Sequence, residues 1–162
     1  MKERYWNNLV NKKFYLEYLG VHYRKNVVIQ RVLSIILAIV STGSLGTLFV
    51  WREYSLVFST ILVATQVITA AMPYLPFERR KSELEKCIST MTLLFDDLEE
   101  NFYYTMNEWD DESINSWLYN FNKKWDEVDA RFLEGDSLPR RLKYIDIADV
   151  ATNDYFKLMY GG

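Results

Sequence analysis

Two stretches without charge decide how the rest of the chain is interpreted. Residues 32–51 read VLSIILAIVSTGSLGTLFVW, and residues 54–77 read YSLVFSTILVATQVITAAMPYLPF. Only Arg52 and Glu53 lie between them. An α-helix needs about 20 mostly apolar residues to cross the roughly 30 Å hydrocarbon layer of a bilayer. Because both stretches reach that length, the sequence predicts a transmembrane hairpin. The alternative is a helical protein in which the two stretches pack as a buried hairpin.

Charge is distributed in three blocks along the 162 residues. Residues 1–31 carry seven Lys or Arg and two Glu, and residues 32–77 are neutral overall. Residues 78–162 carry eleven Lys or Arg and nineteen Asp or Glu. This acidic part argues against nucleic acid as a direct partner. Basic residues lie on the outer flanks of both stretches, so the positive-inside rule places both termini in the cytoplasm.

The first stretch carries small residues at every fourth position. Ser34, Ala38, Thr42 and Gly46 follow this spacing, which places them on one side of a helix. Small residues allow helices to approach closely in lipid. We expect this side to pack against another helix, of the hairpin or of a second copy. The alternative is that these residues are simply tolerated there.

The second stretch carries polar residues at helical spacing. Ser55, Ser59, Gln66 and Thr69 share one side of the predicted helix. A polar side chain in hydrocarbon needs a partner from protein or water. This side therefore lines a pore built from several copies, or it forms interhelical hydrogen bonds.

Residues at the ends of the hairpin are typical of interface anchors. Trp51 and Tyr54 are placed at the outer boundary, where aromatic rings are favoured. Arg79, Arg80 and Lys81 follow the second stretch and are expected to hold that end at the inner surface.

The N-terminal part, residues 1–31, predicts an amphipathic juxtamembrane helix. Its apolar stripe either lies on an anionic leaflet or packs against the C-terminal helices. The stripe contains Trp6, Val10, Phe14, Tyr18 and Val21.

The C-terminal part, residues 78–162, predicts a cytosolic bundle of three helices. The first covers residues 78–109 and carries a near-heptad apolar seam. Asp110 and Asp111 end it and can cap the second helix, which stops at Gly135. A third helix opens at Ser137, with Pro139 in its first turn. The expected fold class is an all-α membrane protein whose two-helix transmembrane hairpin, residues 32–77, follows the N-terminal amphipathic helix and precedes this cytosolic helical bundle.

Catalytic patterns are missing from the sequence. The chain has one histidine, His22, and one cysteine, Cys87, which excludes an intrachain disulfide and a Cys/His zinc site within one chain. It has no glycine-rich phosphate loop and no nucleophile elbow. We therefore expect no enzyme activity, no catalytic residue, no metal and no cofactor.

Three segments carry a resemblance to a known family. They are the basic entry HYRKNVVIQR at 22–31, the exit PYLPFERRKSELEK at 73–86 and the tail ATNDYFKLMYG at 151–161. Together with the hairpin between them, they resemble the SLATT family, the SMODS- and SLOG-associating two-transmembrane effectors of prokaryotic antiviral conflict systems. The aromatic richness of the C-terminal seams departs from that pattern.

This resemblance implies a membrane effector. Such an effector oligomerises through the hairpin and forms a pore that permeabilises or depolarises the inner membrane when a sensor is activated. The implied partners are the lipid bilayer, further copies of the chain, and a separate sensor or nucleotide-signalling protein. The alternatives are a membrane-anchored scaffold whose bundle docks a soluble partner without conduction, and a holin-like lysis protein.

Overall fold

The computed structural model describes residues 2–46, 55–71, 77–133 and 138–161. Within these ranges, the side chains of residues 40–46, 55–58, 61, 62, 77–79 and 106 are not described. The helices are α1 (Lys2–Gly46), α2 (Ser55–Ala71), α3 (Phe77–Asn107), α4 (Asp111–Leu133) and α5 (Leu142–Tyr160). No strand occurs in the described ranges.

The described helices confirm that the fold is all-α, but the prediction of an all-α membrane protein with a transmembrane hairpin is wrong. Among the described residues, no helix is long and apolar enough to cross a membrane. The charge-free part of α1, Val32–Gly46, has fifteen residues, and α2 has 17. Within the described ranges, both charge-free segments are shorter than the roughly 20 residues that a span requires.

The chain divides into two compact units. Residues 1–24 and 82–162 form the first, here called the bundle unit, and residues 25–81 form the second, here called the apolar unit. The helix α1 contributes its first half to the bundle unit and its second half to the apolar unit.

In the bundle unit, α1 and α3 run antiparallel. The hydroxyl of Tyr5 donates to the carbonyl of Leu98 at 2.7 Å, and the hydroxyl of Tyr23 donates to the carboxylate of Glu85 at 3.3 Å. Because the later residue of α1 meets the earlier residue of α3, the two helices have opposite directions. Tyr5 is fully buried, so its hydroxyl needs this acceptor.

The helix α4 runs parallel to α1. Arg4 donates to Asn115 at 2.8 Å, and eleven residues further along α1 the hydroxyl of Tyr15 donates to Asp129 at 2.5 Å. The contacts therefore advance in the same direction along both helices.

The helix α5 runs antiparallel to α1 and parallel to α3. The ring of Trp6 lies 5.4 Å from that of Tyr160, and the ring of His22 lies 4.8 Å from that of Tyr144. The carboxylate of Glu99 on α3 accepts hydrogen bonds from Tyr155 at 2.7 Å and from Tyr160 at 2.8 Å. This carboxylate fastens the C-terminal half of α5 to α3.

The core of the bundle unit comes from α1, α3 and α4. The apolar stripe predicted for the N-terminal helix packs into this bundle: Tyr18 and Val21 are buried, and the Trp6 ring contacts Phe102 and Phe156. The buried cluster contains Tyr5, Leu9, Leu16, Leu19, Leu84, Cys87, Met91, Phe95, Leu98, Phe102, Ile114, Leu118, Phe121 and Trp125.

Two helix starts in the bundle unit follow from local hydrogen bonds. Asp110 caps α4 as predicted, because its carboxylate accepts the backbone N–H of Ser113 at 3.1 Å. The predicted start of the last helix is wrong. The helix begins at Leu142, after Arg141 in an extended conformation. Pro139 therefore lies before the helix, and its carbonyl accepts a hydrogen bond from the hydroxyl of Tyr18 at 3.0 Å. Ser137 lies outside the described residues.

In the apolar unit, α1 has a half-buried side and an exposed side. Asn26, Gln30, Leu33 and Leu37 are half-buried, and their spacing of three to four residues puts them on one face. The opposite face is aliphatic and exposed. It consists of Val28, Ile29, Val32, Ile35, Ile36 and Ile39.

The helix α2 is exposed on almost every side that the structure describes. Thr65 is half-buried, whereas the other described side chains of this helix are exposed, Val63, Val67 and Ile68 among them. A helix that is apolar all round is normally covered by protein or lipid.

Candidate functional site

The predicted packing residues of the first stretch lie in the second half of α1. Ser34 and Ala38 are exposed. Thr42 and Gly46 belong to the helical backbone, and their side-chain surroundings lie outside the described residues. Ser34 and Ala38 are therefore accessible. The role of these four small residues in helix packing stays a prediction.

The predicted polar side belongs to α2. Ser55 is the first residue of this helix, and its side chain is not described. Ser59, Gln66 and Thr69 are exposed, and the Thr69 hydroxyl donates to the carbonyl of Thr65 at 2.8 Å, within the same helix. The aliphatic residues of α2 are exposed as well, so exposure does not single out the polar side.

The predicted anchors divide between described and undescribed residues. Trp51 and Tyr54 lie outside the described residues. Arg79 is part of the backbone of α3, and Arg80 and Lys81 are half-buried in its first turns.

A polar cleft lies between α1 and α4 in the bundle unit and is here called the α1–α4 cleft. It has a volume of about 510 Å³. Its lining is Arg4, Asn7, Asn8, Asn11, Lys12, Tyr15, Asn122, Trp125, Asp126 and Asp129.

The helical repeat explains this lining. On α1 the lining residues recur every three to four positions from Arg4 to Tyr15, which makes them one continuous face. On α4 the same spacing holds from Asn122 to Asp129. The Arg4–Asn115 and Tyr15–Asp129 hydrogen bonds tie the two helices together at the two ends of this face. These two hydrogen bonds fix the position of α4 relative to α1 along the cleft.

The charges in the cleft are balanced internally. The ammonium of Lys12 lies 4.7 Å from the centre of the Trp125 ring. Burial lowers the pKa of Lys12, and the carboxylates of Asp126 and Asp129 act in the opposite direction. Burial and the hydrogen bond to Asp129 raise the pKa of Tyr15, so its hydroxyl stays a donor at neutral pH.

Side-chain amides give the cleft its hydrogen-bonding capacity. Asn7 and Asn11 are exposed, and Asn8 and Asn122 are half-buried. The carbonyl oxygen of the Asn8 side chain is buried and has no hydrogen-bond partner among the described residues. An amide donates and accepts at once, so these groups suit a ligand that does the same.

Sequence reasoning did not find this cleft, although one signal was present. Three asparagines occur within the five residues 7–11, inside a helix. Asparagine lowers helix stability by roughly 0.5 kcal/mol relative to alanine. Such a cluster indicates that the side chains are kept for another purpose, but only the structure pairs them with α4.

The described part of the chain shows no catalytic arrangement around the cleft. Cys87 is fully buried, its sulfur lies 3.8 Å from that of Met91, and burial raises the pKa of the thiol to about 11. A nucleophilic cysteine needs the opposite shift. No group of three or more His, Cys, Asp or Glu that could hold a metal ion occurs among the residues described.

No family model, curated protein or solved structure matches this chain. The resemblance to SLATT effectors therefore stays a prediction.

Proposed function

We propose that this chain is a non-catalytic effector that associates with a lipid bilayer through its apolar unit and acts there in several copies. The observation that carries the proposal is the exposed aliphatic surface of α1 and α2. It comprises Val28, Ile29, Val32, Ile35, Ile36, Ile39, Val63, Val67 and Ile68.

The size of this surface argues that something covers it. Fully burying one aliphatic side chain is worth about 1.5–3 kcal/mol. The nine residues are between 43% and 63% exposed, so covering all of them is worth on the order of 10 kcal/mol. That is comparable to the whole stability of a typical domain.

Lipid fits this surface better than a polar partner does. No charge interrupts the aliphatic row from Val32 to Ile39, and exposed basic residues, Lys25 and Arg31, lie next to it on α1. Basic side chains near a membrane surface are attracted to anionic headgroups. The resemblance to SLATT effectors supports the further step that assembled copies disturb the bilayer when a sensor is active.

Vesicle flotation tests the proposal directly. The full chain is mixed with vesicles of phosphatidylcholine and phosphatidylglycerol, and the fraction that floats is measured. The triple variant Ile35→Ser, Ile36→Ser, Ile39→Ser should lose most of the binding.

The bundle unit supplies the matched control. Leu93→Ser, Val150→Ser and Leu158→Ser remove three aliphatic side chains that are 66%, 60% and 84% exposed in that unit. This triple variant should float like the unmodified chain. Equal loss in both triple variants, or no flotation of the unmodified chain, contradicts the proposal.

Release of a trapped dye from the same vesicles tests the activity that follows binding. Gln66→Leu removes the exposed amide of α2 and leaves the aliphatic surface intact. If the polar side of α2 takes part in permeabilisation, this variant should bind vesicles normally and release less dye. Unchanged dye release contradicts a role for Gln66.

A second candidate function is a scaffold whose bundle unit docks a soluble protein. The α1–α4 cleft favours it, because a cleft of about 510 Å³ lined with amides has no evident catalytic use. Co-expression with the products of adjacent genes, followed by co-purification, tests it. Asn11→Leu should reduce the amount of partner that co-purifies if docking uses the cleft, and an unchanged amount argues against docking there.

A further inference from the structure

The shape of the α1–α4 cleft sets the kind of ligand that it can take. From Arg4 to Tyr15 the lining face of α1 covers eleven residue steps, which is about 16 Å at roughly 1.5 Å per residue. An extended polypeptide advances about 3.3 Å per residue, so about five of its residues match this length. The cleft follows two parallel helices and is therefore a groove.

The spacing of the amides matches the repeat of an extended chain. Asn7 and Asn11 are four residues apart on α1, which puts them about 6 Å apart along the helix axis. In an extended polypeptide, groups on the same side recur every two residues, or about 6.6 Å. Each amide can therefore pair with the N–H and C=O groups of alternate residues, while Asn122 contributes the same groups from α4.

The charge balance of the cleft gives no preference for a strongly charged ligand. Arg4 and Lys12 are matched by Asp126 and Asp129. Arg4 donates to Asn115, the Lys12 ammonium lies over the Trp125 ring, and Asp129 accepts from Tyr15. A phosphate-rich or polybasic ligand would meet groups of its own sign at close range. A neutral ligand with many hydrogen-bond donors and acceptors avoids this repulsion.

We propose that the α1–α4 cleft binds an extended segment of a partner protein, about five residues long, mainly through the backbone of that segment. This inference rests on the docking function proposed above for the bundle unit and names the chemistry of its ligand. Asn7, Asn11 and Asn122 hold the peptide groups of the bound segment.

Binding of short peptides tests this inference. Random heptapeptides displayed on phage are selected against the full chain in detergent micelles, and the most enriched peptide is synthesised for affinity measurements. Asn11→Leu and Asn122→Leu should each weaken its binding about tenfold, because one amide contact is lost in each variant. Leucine has a similar size and a higher helix propensity, so both helices should persist.

Asn120→Leu is the matched control, because Asn120 is an exposed asparagine of the same helix that does not line the cleft. Its affinity should change less than twofold. Equal effects of Asn120→Leu and Asn122→Leu overturn the inference, as does the absence of any enriched peptide.

Backbone methylation distinguishes a backbone-held segment from other ligands. Replacing single N–H groups of the selected peptide by N–CH₃ should weaken binding about tenfold at alternate positions. Replacing single side chains of the peptide by alanine should weaken binding less than methylation of the backbone does. Loss that depends on side chains alone overturns the inference.

The two proposals for the bundle unit can fail separately. If Asn11→Leu disrupts the co-purified complex but no heptapeptide binds, docking stands and the extended-segment inference fails. If heptapeptides bind with the expected pattern but Asn11→Leu keeps the complex, the cleft binds peptide and the proposed docking function fails.

Discussion

Leu98 in the bundle unit and Ile39 in the apolar unit are both aliphatic residues within helices. Leu98 has no exposed surface, and Ile39 is 63% exposed. The bundle unit packs a continuous apolar core between its own helices, although it also carries most of the charge of the chain and leaves a few aliphatic side chains exposed. The apolar unit has eight charged residues, none of them within residues 32–51 or 54–77, and the aliphatic side of its α1 segment is exposed. The difference shows that apolar content alone does not say where a surface is covered.

The largest expected effect comes from replacing a buried aliphatic side chain by alanine, compared with the same replacement of an exposed one. Leu98→Ala should lower the free energy of unfolding of the bundle unit by about 2–5 kcal/mol, because it leaves a cavity in a closed core. Ile36→Ala, at a residue that is 50% exposed, should change it by less than about 0.5 kcal/mol. Urea unfolding followed by far-ultraviolet circular dichroism measures both. Similar losses would mean that the aliphatic surface is covered within the chain.

Alkaline pH should act on the bundle unit with the next largest effect. Burial raises the pKa of Cys87 from about 9 to about 11, and the pKa values of Tyr5, Tyr15, Tyr155 and Tyr160 are also raised, chiefly by burial. The folded state therefore holds these protons more tightly than the unfolded state does. Its stability is complete below about pH 9 and decreases as the pH rises towards 11 and beyond.

Cys87 alone should contribute a loss of about 2 kcal/mol by pH 10.5. The measurement is the urea midpoint at pH 8 and at pH 10.5. Cys87→Ala should lose less stability between these two pH values than the unmodified chain does. A midpoint that does not change between pH 8 and pH 10.5 contradicts the burial of these groups.

The carboxylate that joins α5 to α3 gives a smaller effect. Glu99→Gln keeps the shape of the side chain but removes the charge that accepts hydrogen bonds from Tyr155 and Tyr160. We expect a loss of about 1–2 kcal/mol in the free energy of unfolding. Glu100→Gln is the control, because Glu100 is the adjacent residue and is exposed. If both variants lose the same stability, Glu99 acts through general charge and not through these contacts.

The smallest effect concerns the start of α4. Asp110→Ala removes the carboxylate that accepts the Ser113 N–H. We expect the melting temperature to fall by about 2–4 °C, because one end of α4 loses its cap. Asp111→Ala should lower the melting temperature less, because the Asp111 carboxylate accepts no comparable hydrogen bond from a described residue. Thermal melts of the two variants decide between them.

The sequence predicted the parts of the bundle that depend on local spacing. The near-heptad seam of α3 places Leu84, Met91, Phe95 and Leu98 on one side, and all four are buried. The Asp110 cap is equally local. The burial of Tyr5, Leu9, Leu16 and Leu19 was not predicted, although their spacing of four, seven and three residues places them on one side of α1. The predicted stripe from Trp6 to Val21 lies on a different side of the same helix, and spacing alone did not show which side faces the core.

Two features required information that spacing does not carry. The length of a charge-free stretch shows that water is unfavourable there, but it does not show that a helix crosses a membrane, and no described helix is long and apolar enough to do so. The α1–α4 cleft joins residues 4–15 to residues 122–129, and no local pattern links segments so far apart in sequence. The start of α5 was not predicted either. The hydrogen bond from Tyr18 to the Pro139 carbonyl joins residues that are 121 positions apart, and no local pattern indicates it.

The long separation between α1 and its partners has a consequence for synthesis. The contacts of Tyr5, Arg4 and Tyr18 reach residues that are 93, 111 and 121 positions later in the chain. At about 5–20 residues per second, α1 leaves the ribosome at least several seconds before α4 and α5 exist. Until α3 is made, Tyr5, Leu9, Leu16 and Leu19 have no partner helix of the bundle unit, and residues 25–81 emerge in this interval. The bundle unit therefore closes only after α5 has been made.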